Sequence, residues 1–259
     1  MKIKKQRNQK KKPYFSIITV VKNDENNICK TIASVNSQSF KNFEYIIIDG
    51  SSTDNTLRKI KKRKNNFDIL VSEKDKGIYY AMNKGAKLSN GNIIVFVNSG
   101  DHLKKNALKI IKKKFDRKKN ISFVFGTVIR NYTKDSILKY GFNKNKLYYN
   151  FDFATAHSTG FFLKRKIFSK LGYFNTKYKC SADYDLYYKL LIKENLIGNS
   201  TNKDEIIGEL SAGGFSSRVS FIEHLFEEIK IRYDNKQNLL LIMLIFINAL
   251  LKKLFKKIS

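Results

Sequence analysis

The amino-acid sequence predicts an α/β domain in which helices flank a mostly parallel β-sheet. Apolar runs of strand length alternate with segments of helical apolar spacing through the first hundred residues, an order typical of right-handed βαβ units. Residues 93–97 (IIVFV) are all apolar, whereas a strand with one face in water alternates apolar and polar residues. We therefore expect central strands buried on both faces, with ligands bound beyond their carboxyl ends.

Each predicted strand is a short apolar run bounded by glycine or polar residues. In chain order the predicted strands are residues 15–21, 43–49, 67–72, 93–97 and 121–129. Their short length and continuous apolar character favour buried strands over helices.

Predicted helices occupy the intervals between these strands and continue beyond them. They cover about residues 25–37, 78–88, 107–115 and 183–193. In the first helix, Ile28, Ile32 and Val35 recur on one face. The small and polar residues after position 49 predict a tight turn, in which Thr53 or Asp54 caps a further helix.

The C-terminal segment differs in kind from the rest of the chain. Residues 239–251 (LLLIMLIFINALL) contain one polar residue and precede the basic sequence KKLFKKIS. A bilayer-spanning helix needs about 20 apolar residues, so this stretch is too short to span by itself. An apolar stretch that ends in lysines is typical of a helix in the membrane interface, and packing on the domain or on a second subunit is the alternative.

These patterns divide the chain into three parts. Residues 1–13 are predicted to be a basic disordered tail, residues 14–220 the α/β domain, and residues 221–259 a helical, basic, membrane-associating extension. The apolar stretch after the basic N-terminus is too short for a secretory signal. Cys29 and Cys180 stand in unrelated contexts, which argues against a zinc site or a disulfide framework and fits a reducing cytoplasm.

The formal net charge of +29 suggests a polyanionic partner. Seven Lys/Arg lie in residues 1–12 and four in residues 252–259, and the others are spread along the chain. No RNA- or DNA-binding module with paired aromatics and a basic face is present, so we expect no nucleic-acid partner. A basic surface that meets anionic lipid is the better explanation of the charge.

Carboxylates follow two of the predicted strands. Asp49 ends the strand YIII, and Asp101 follows residues 93–97 in the turn NSGD. A carboxylate next to a buried strand is costly unless it is paired or used, although Asp101 can also cap the next helix. The sequence has neither GxGxxG nor GxxxxGK[ST], so a dinucleotide fingerprint and a P-loop are both absent.

Three segments together carry a family resemblance. They are FSIITVVKNDENNICKTIASVNSQSFKNFEYIIIDGSSTDNT, SEKDKGIYYAMNKGAKLSNGNIIVFVNSGD and SADYDLYYKL. The sequence resembles family 2 inverting glycosyltransferases of GT-A fold, over about residues 14–215, and is most similar to the small bacterial enzymes that build surface polysaccharides. The resemblance implies a nucleotide-sugar donor, usually a UDP-sugar, a divalent cation, and a saccharide or lipid-linked acceptor in polysaccharide or lipopolysaccharide biosynthesis.

The resemblance also implies roles for individual residues on the donor side. The implied nucleotide-binding residues are Thr19, Val21, Asp24, Asp49, Asp75, Lys76, Gly77, Asn83 and Ser99. Asp49 would contact the base, while Asp75 to Gly77 would support ribose and phosphate at a helix N-terminus. Asp101 stands where the family has an Asp-x-Asp motif that holds Mn²⁺ or Mg²⁺ on the diphosphate. Ser99 replaces the first acid of that motif.

On the acceptor side, Asp183 corresponds to the family's general base, which takes the proton of the acceptor hydroxyl. Asp185 lies two residues further along the same predicted helix and faces another way, so it supports the helix start or the acceptor site. His157 in AHSTGFFLKR and Arg218 in the glycine-rich LSAGGFSSRVS are further candidates for contacts with acceptor or phosphate. The glycine-rich loop would close over the donor.

Two other functions remain open on the sequence alone. A nucleotidyltransferase would bind a nucleotide and a metal on such a sheet, but the glycine-rich phosphate loop that it needs after the first strand is absent. A membrane- or nucleic-acid-binding protein that has lost catalysis would explain Ser99. We expect instead a metal-dependent transferase, peripheral on the inner face of the cytoplasmic membrane.

Overall fold

The structure of the protein is a computed structural model that describes residues 1–4, 12–132, 135–149, 158–213 and 219–258. Its strands are β1 (Lys2–Lys4), β2 (Phe15–Val21), β3 (Phe43–Asp49), β4 (Ile69–Ser72), β5 (Ile93–Phe96), β6 (His102–Leu103), β7 (Phe123–Phe125), β8 (Thr127–Asn131), β9 (Ser136–Lys139), β10 (Phe161–Lys164), β11 (Gly198–Ser200) and β12 (Ile206–Leu210). Its α-helices are α1 (Ile28–Asn36), α2 (Thr56–Lys61), α3 (Ile78–Leu88), α4 (Ala107–Arg117), α5 (Lys144–Tyr149), α6 (Arg165–Lys170), α7 (Ala182–Tyr188), α8 (Phe221–Asp234) and α9 (Leu239–Ile258). A π-helical turn, Lys189–Lys193, continues α7, and a 3₁₀ turn, Ser158–Gly160, precedes β10.

The larger sheet of the described chain has the strand order β1-β4-β3-β2-β5-β10-β7-β11. Strands β4, β3, β2 and β5 run parallel, whereas β10 runs antiparallel between β5 and β7. In the centre, Phe15 of β2 lies opposite Phe43 on one side and Ile93 on the other. This arrangement confirms the predicted α/β domain with a mostly parallel sheet.

The centre of the sheet is buried on both faces. Every residue of β2 and β3 is buried. Since side chains alternate along a strand, Ile17 belongs to a core that also contains residues of α1 and α4, and Ile18 to one that also contains residues of α3 and α7. The continuous apolar runs of the sequence therefore reflect two cores, one on each face of the sheet.

A smaller sheet of order β6-β12-β8-β9 lies beside the larger one. Residues 121–129 were expected to form one strand, and this prediction is wrong, because the chain passes from the larger sheet to the smaller one at Gly126. A Cβ atom at Gly126 would lie 2.4 Å from Cγ1 of Ile207. The two strands can separate here because glycine allows the backbone to approach β12 this closely.

The first residues also differ from the predicted disordered tail over residues 1–13. Strand β1 pairs antiparallel with β4, with Lys2 opposite Val71. The terminal ammonium of Met1 donates a hydrogen bond of 2.7 Å to the carbonyl oxygen of Ser72. Strand β1 thereby satisfies hydrogen-bonding groups along the outer edge of β4, and residues 5–11 of the predicted tail lie outside the described residues.

Helix α8 begins at Phe221, and the membrane-associating extension over residues 221–259 stays a prediction. A capping box opens α8, since Ser220 Oγ accepts from the backbone N–H of Glu223 while the Glu223 carboxylate accepts from the N–H of Ser220. Leu225 and Ile231 of α8 are buried. Helix α9 packs on α8, with the rings of Phe226 and Phe246 6.1 Å apart. Among the described residues, none of the helices has the length and apolar content needed to cross a bilayer.

Gly85 is a point at which α3 packs tightly on the sheet. A Cβ atom there would lie 2.5 Å from Cγ2 of Ile18, which is fully buried. Replacing glycine by alanine in an exposed helix stabilises it by about 1 kcal/mol, but overpacking a core costs about 1–3 kcal/mol. We therefore expect Gly85→Ala to lower the free energy of unfolding, measured by urea denaturation. Gly50→Ala is the control, since its Cβ would have its nearest neighbours at 3.4 Å, and equal stability of both variants would contradict the prediction.

Candidate functional site

The candidate site lies at the carboxyl ends of β2 and β5, where the strand order reverses. The chain moves outward from β2 to β3 and β4, and then returns to β5 on the other side of β2. Crevices at such switch points are the usual ligand sites of open α/β sheets. Ser99 Oγ donates a hydrogen bond of 2.7 Å to Asp24 Oδ2 across this crevice. Two of the predicted nucleotide-binding residues are therefore neighbours.

Asp101 lies at the inner side of the crevice and is 8% exposed. Its Oδ2 accepts a hydrogen bond of 2.5 Å from Thr159 Oγ1, and its Oδ1 accepts one of 3.1 Å from the backbone N–H of Ser211. Burial raises the pKa of Asp101 to about 6, against the opposing effect of these hydrogen bonds and of the Arg130 charge. The carboxylate thus joins β5 to two distant segments of the chain.

Sequence reasoning missed Thr159 and Ser211, although it singled out the segments that contain them. Thr159 lies in the AHSTG segment, where His157 was the candidate, and Ser211 lies in the glycine-rich loop, where Arg218 was the candidate. His157 and Arg218 lie outside the described residues. The sequence shows that Thr159 and Ser211 can donate hydrogen bonds. Their position next to the buried carboxylate of Asp101 is known only from the fold.

Two side chains with oxygen atoms suited to a divalent cation, Asn98 and Asp101, lie in the turn that follows β5. Asn98 Nδ2 donates to Ser158 Oγ at 3.0 Å, while Asn98 Oδ1 is buried and has no hydrogen-bond partner among the described residues. In the part of the chain that the structure describes, no three His, Cys, Asp or Glu side chains cluster as a metal site. Mg²⁺ and Mn²⁺ accept one or two protein oxygens together with phosphate and water, so Asn98 and Asp101 fit a cation that also binds a ligand.

Two predicted nucleotide contacts are located in the interior instead. Thr19 is fully buried, and its Oγ1 donates to the carbonyl oxygen of Val97 at 2.6 Å. Asp49 is also fully buried, and its carboxylate accepts from Ser72 Oγ at 2.7 Å and from the N–H of Ser52 at 3.2 Å. Neither side chain is exposed here, because each satisfies a buried polar group that the sheet would otherwise leave unpaired. Their contacts with a nucleotide stay predictions.

Val21 and Asn83 also form hydrogen bonds with the backbone of other segments. The carbonyl oxygen of Val21 accepts from the N–H of Gly50 at 2.8 Å. The side-chain amide of Asn83 donates to the carbonyl oxygen of Phe174 at 2.8 Å and accepts from its N–H at 3.0 Å. Asn83 therefore links α3 to the segment after α6, and its contact with a nucleotide stays a prediction.

The turn before α3 remains open to a ligand. The side chain of Asp75 is 9% exposed, and its Oδ1 accepts from Lys84 Nζ at 2.6 Å. Its Oδ2 is buried and has no partner among the described residues. Lys76 and Gly77 are exposed next to it, and Gly77 has a φ of 155° at the N-cap of α3. This turn therefore presents a hydrogen-bond acceptor, a cation and helix N–H groups together.

Asp183 is the one residue of α7 that is not buried. Its Oδ1 lies 3.0 Å from Tyr79 Oη and accepts from the N–H of Tyr184 at 3.0 Å. Burial and the Asp183 charge raise the pKa of Tyr79 far above its usual value, so the phenol keeps its proton. Sequence reasoning did not assign Tyr79 this role, although the residue stands out in the aromatic pair at the start of α3.

Asp185 occupies a different environment and is 2% exposed. Its Oδ2 pairs with Lys189 Nζ at 2.7 Å, and its Oδ1 accepts from Asn235 Nδ2 at 2.9 Å. Asp185 therefore supports α7, which is the first of the two roles expected for it, and its place in an acceptor site stays a prediction. The contrast in exposure supports the choice of Asp183 as the reactive carboxylate.

Solved structures resemble this fold over most of the described chain. S. aureus TarS 1-349 in complex with UDP has a TM-score of 0.66 at 19% identity, covering 84% of this chain and 63% of that one. The mannosyltransferase PcManGT from Pyrobaculum calidifontis, in complex with GDP-Man and Mn²⁺, has a TM-score of 0.64 at 15% identity, covering 87% and 65%. The chain thus spans less than two thirds of either protein chain, and the likeness shows a shared GT-A fold.

Sequence comparison gives the family. The chain is 27% identical over 179 residues to the PGL/p-HBAD biosynthesis glycosyltransferase of Mycobacterium bovis, covering 67% of this chain and 68% of that protein. It is 32% identical over 91 residues to the glycosyltransferase AglE of Haloferax volcanii, covering 33% and 30%. The profile of Glycosyl transferase family 2 matches residues 16–172, which is more than half of the sequence. The chain therefore belongs to glycosyl transferase family 2.

Proposed function

We propose that this glycosyltransferase is an inverting, metal-dependent enzyme that moves a sugar from a UDP-sugar to a hydroxyl of a saccharide or lipid-linked acceptor. The observation that carries the proposal is the start of α3. There the open turn at Asp75 to Gly77 adjoins Tyr79, which donates a hydrogen bond to the partly exposed carboxylate of Asp183. The first turn of α3 thus connects the proposed donor-binding turn to the candidate base, Asp183.

On the donor side, each group has a distinct task. The unpartnered Oδ2 of Asp75 accepts a ribose hydroxyl, which restores the hydrogen bond that its burial demands. Lys76 and the first N–H groups of α3 face the phosphates. Asn98 and Asp101 would hold the cation, which would supply Lewis-acid stabilisation of the negative charge on the diphosphate.

On the acceptor side, Asp183 takes the proton of the acceptor hydroxyl as its oxygen attacks the anomeric carbon. The bond from that carbon to the diphosphate breaks, and the nucleoside diphosphate leaves with the electron pair. Attack opposite the leaving group inverts the configuration. Hydrogen bonds from Tyr79 Oη and from the N–H of Tyr184 hold Oδ1 of Asp183, so the carboxylate is oriented before the acceptor arrives.

The comparisons support this proposal at the level of donor chemistry. One structural relative was solved with UDP and another with GDP-Man and Mn²⁺, so nucleotide-diphosphate ligands fit this fold. The mycobacterial relative is named for PGL/p-HBAD biosynthesis. We propose a saccharide or lipid-linked acceptor here, in cell-surface polysaccharide or lipopolysaccharide biosynthesis.

We further propose that α9 docks the enzyme on the inner face of the cytoplasmic membrane. Leu240, Met243 and Leu244 are 66%, 60% and 57% exposed on one side of the helix. Lys252 and Lys253 follow that apolar surface along the same helix. Apolar side chains that enter the headgroup boundary, together with lysines, favour anionic lipid.

The donor class is tested by calorimetric titration of UDP, GDP and CDP, each with Mn²⁺ and then with EDTA. We expect UDP to bind best with Mn²⁺, and the substitution Asp101→Asn to weaken that binding by tenfold or more, on the order of the loss expected for one metal ligand. Asn keeps an oxygen that accepts from the N–H of Ser211, and its NH2 group can donate to the rotatable hydroxyl of Thr159, so we expect folding to be preserved. Asp204→Asn, on the exposed surface, is the matched control. Absence of binding by all three nucleotides to folded wild type would sink the proposal.

The general base is tested by Asp183→Asn. We expect sugar transfer from a panel of UDP-sugars to bacterial lipid extracts to fall by about 10²–10⁴-fold, the usual contribution of general-base catalysis. UDP affinity should be unchanged, because Asp183 acts on the acceptor. Transfer at the wild-type rate would show that another group takes the proton, and Asp204→Asn again serves as control.

Membrane docking is tested by sedimentation with vesicles of phosphatidylcholine, with and without phosphatidylglycerol. We expect binding to the anionic vesicles alone, weakening as salt screens the lysines. The double substitution Leu240→Glu and Leu244→Glu should reduce it by about tenfold or more, because charges enter the apolar surface. Ile137→Glu changes an exposed apolar residue elsewhere and is the control. Equal binding of both variants would contradict docking through α9.

A further inference from the structure

Helix α8 makes several hydrogen bonds to the turn that precedes Asp183. The carboxylate of Glu227 accepts hydrogen bonds from three consecutive backbone N–H groups, those of Lys179, Cys180 and Ser181, at 2.5, 2.9 and 2.9 Å. Its Oε2 also lies 3.1 Å from Cys180 Sγ. One side chain of α8 thus satisfies a whole turn of backbone donors.

The N-cap residue of α7 does not take over the role of Glu227. Ser181 is the N-cap of α7, but its side chain makes no capping hydrogen bond to the helix. Its Oγ lies instead 3.3 Å from Nδ1 of His224, another residue of α8. Because the N–H groups of Cys180 and Ser181 are part-buried, and such groups are costly without a partner, the conformation of the turn depends on Glu227.

The same turn is linked directly to the candidate base. The hydroxyl of Tyr79 lies 3.0 Å from the carbonyl oxygen of Cys180 and 3.0 Å from Oδ1 of Asp183. A shift of the turn would therefore move the carbonyl oxygen of Cys180 and change the hydrogen bond between Tyr79 Oη and Asp183. Asp183 itself is two residues beyond Ser181, in the first turn of α7.

The charge of Glu227 is maintained by these contacts. Burial alone would raise its pKa, but hydrogen bonds from the Cys180 thiol and the three N–H groups outweigh burial and hold the pKa of Glu227 below its usual value. Burial and the charge of Glu227 raise the pKa of Cys180 to about 12, so the thiol stays protonated. The neighbouring Glu228 differs, because burial raises its pKa to about 8.

We propose that Glu227 is a positioning residue for the general base, acting through the backbone of the turn from Lys179 to Ser181. Helix α8 is then part of the active-site framework as well as the connection to α9. The inference rests on the proposed role of Asp183. It adds a residue beyond the span of the family match, which ends at residue 172.

The test compares Glu227→Ala, Glu227→Gln and, as control on the same helix, Glu223→Gln, which retains the capping box. Displacement of a catalytic group by about 1 Å costs on the order of 10²-fold in rate. We expect Glu227→Ala to lower kcat for sugar transfer by about that factor, with calorimetric UDP affinity within about twofold of wild type. Glu227→Gln keeps one acceptor oxygen and should recover kcat to within about tenfold.

Hydrogen exchange of the N–H groups of residues 179–181 supplies a readout that is independent of activity. Exchange should accelerate in Glu227→Ala and remain slow in Glu223→Gln. Unchanged kcat or unchanged exchange in Glu227→Ala would overturn the inference, as would parallel loss of UDP binding and kcat, which indicates general unfolding. A wild type that binds UDP but transfers no sugar would overturn the role of Asp183, and this inference with it. Normal transfer by both wild type and Glu227→Ala would overturn the inference alone.

Discussion

The parallel pairing of β2 with β3 and β5 is the constraint on which the rest of the structure depends. Parallel neighbours on both sides require connections that cross the faces of the sheet, and helices there bury both faces of β2. All of these strands end at the same edge of the sheet. The crevice between Asp24 and Ser99 follows directly, because the chain leaves β2 in one direction and reaches β5 from the other.

The polar residues beneath that crevice form a rigid base for it. Asp49 joins the ends of β3 and β4 to the loop after β3, and Asp101 joins β5 to the 3₁₀ turn and to the segment after β12. Each carboxylate is buried and accepts at least one hydrogen bond from a residue that is distant in sequence. Such bonds hold the walls in place before a ligand arrives, so binding needs little reorganisation.

The local parts of this architecture could be predicted from the sequence, while the contacts between distant segments could not. Strands β2 and β3 and helix α3 have their predicted limits, because continuous apolar runs and flanking turn residues are local signals. The division at Gly126 depends on the side chain of Ile207, which comes from a distant strand. The position of Asp101 in the site was predictable from the end of its strand, whereas its partners Thr159 and Ser211 and the role of Glu227 depend on the folded arrangement.

The contacts between α8 and the turn before α7 limit how freely the C-terminus can vary within the family. If α8 and α9 served only to dock the enzyme on a membrane, they could be replaced as a unit. Here Glu227, His224 and Asn235 each bond to the segment from Lys179 to Asp185, so a change in α8 acts on the segment that carries Asp183. Helix α9 begins beyond these residues, at Leu239, and takes part in none of the three bonds.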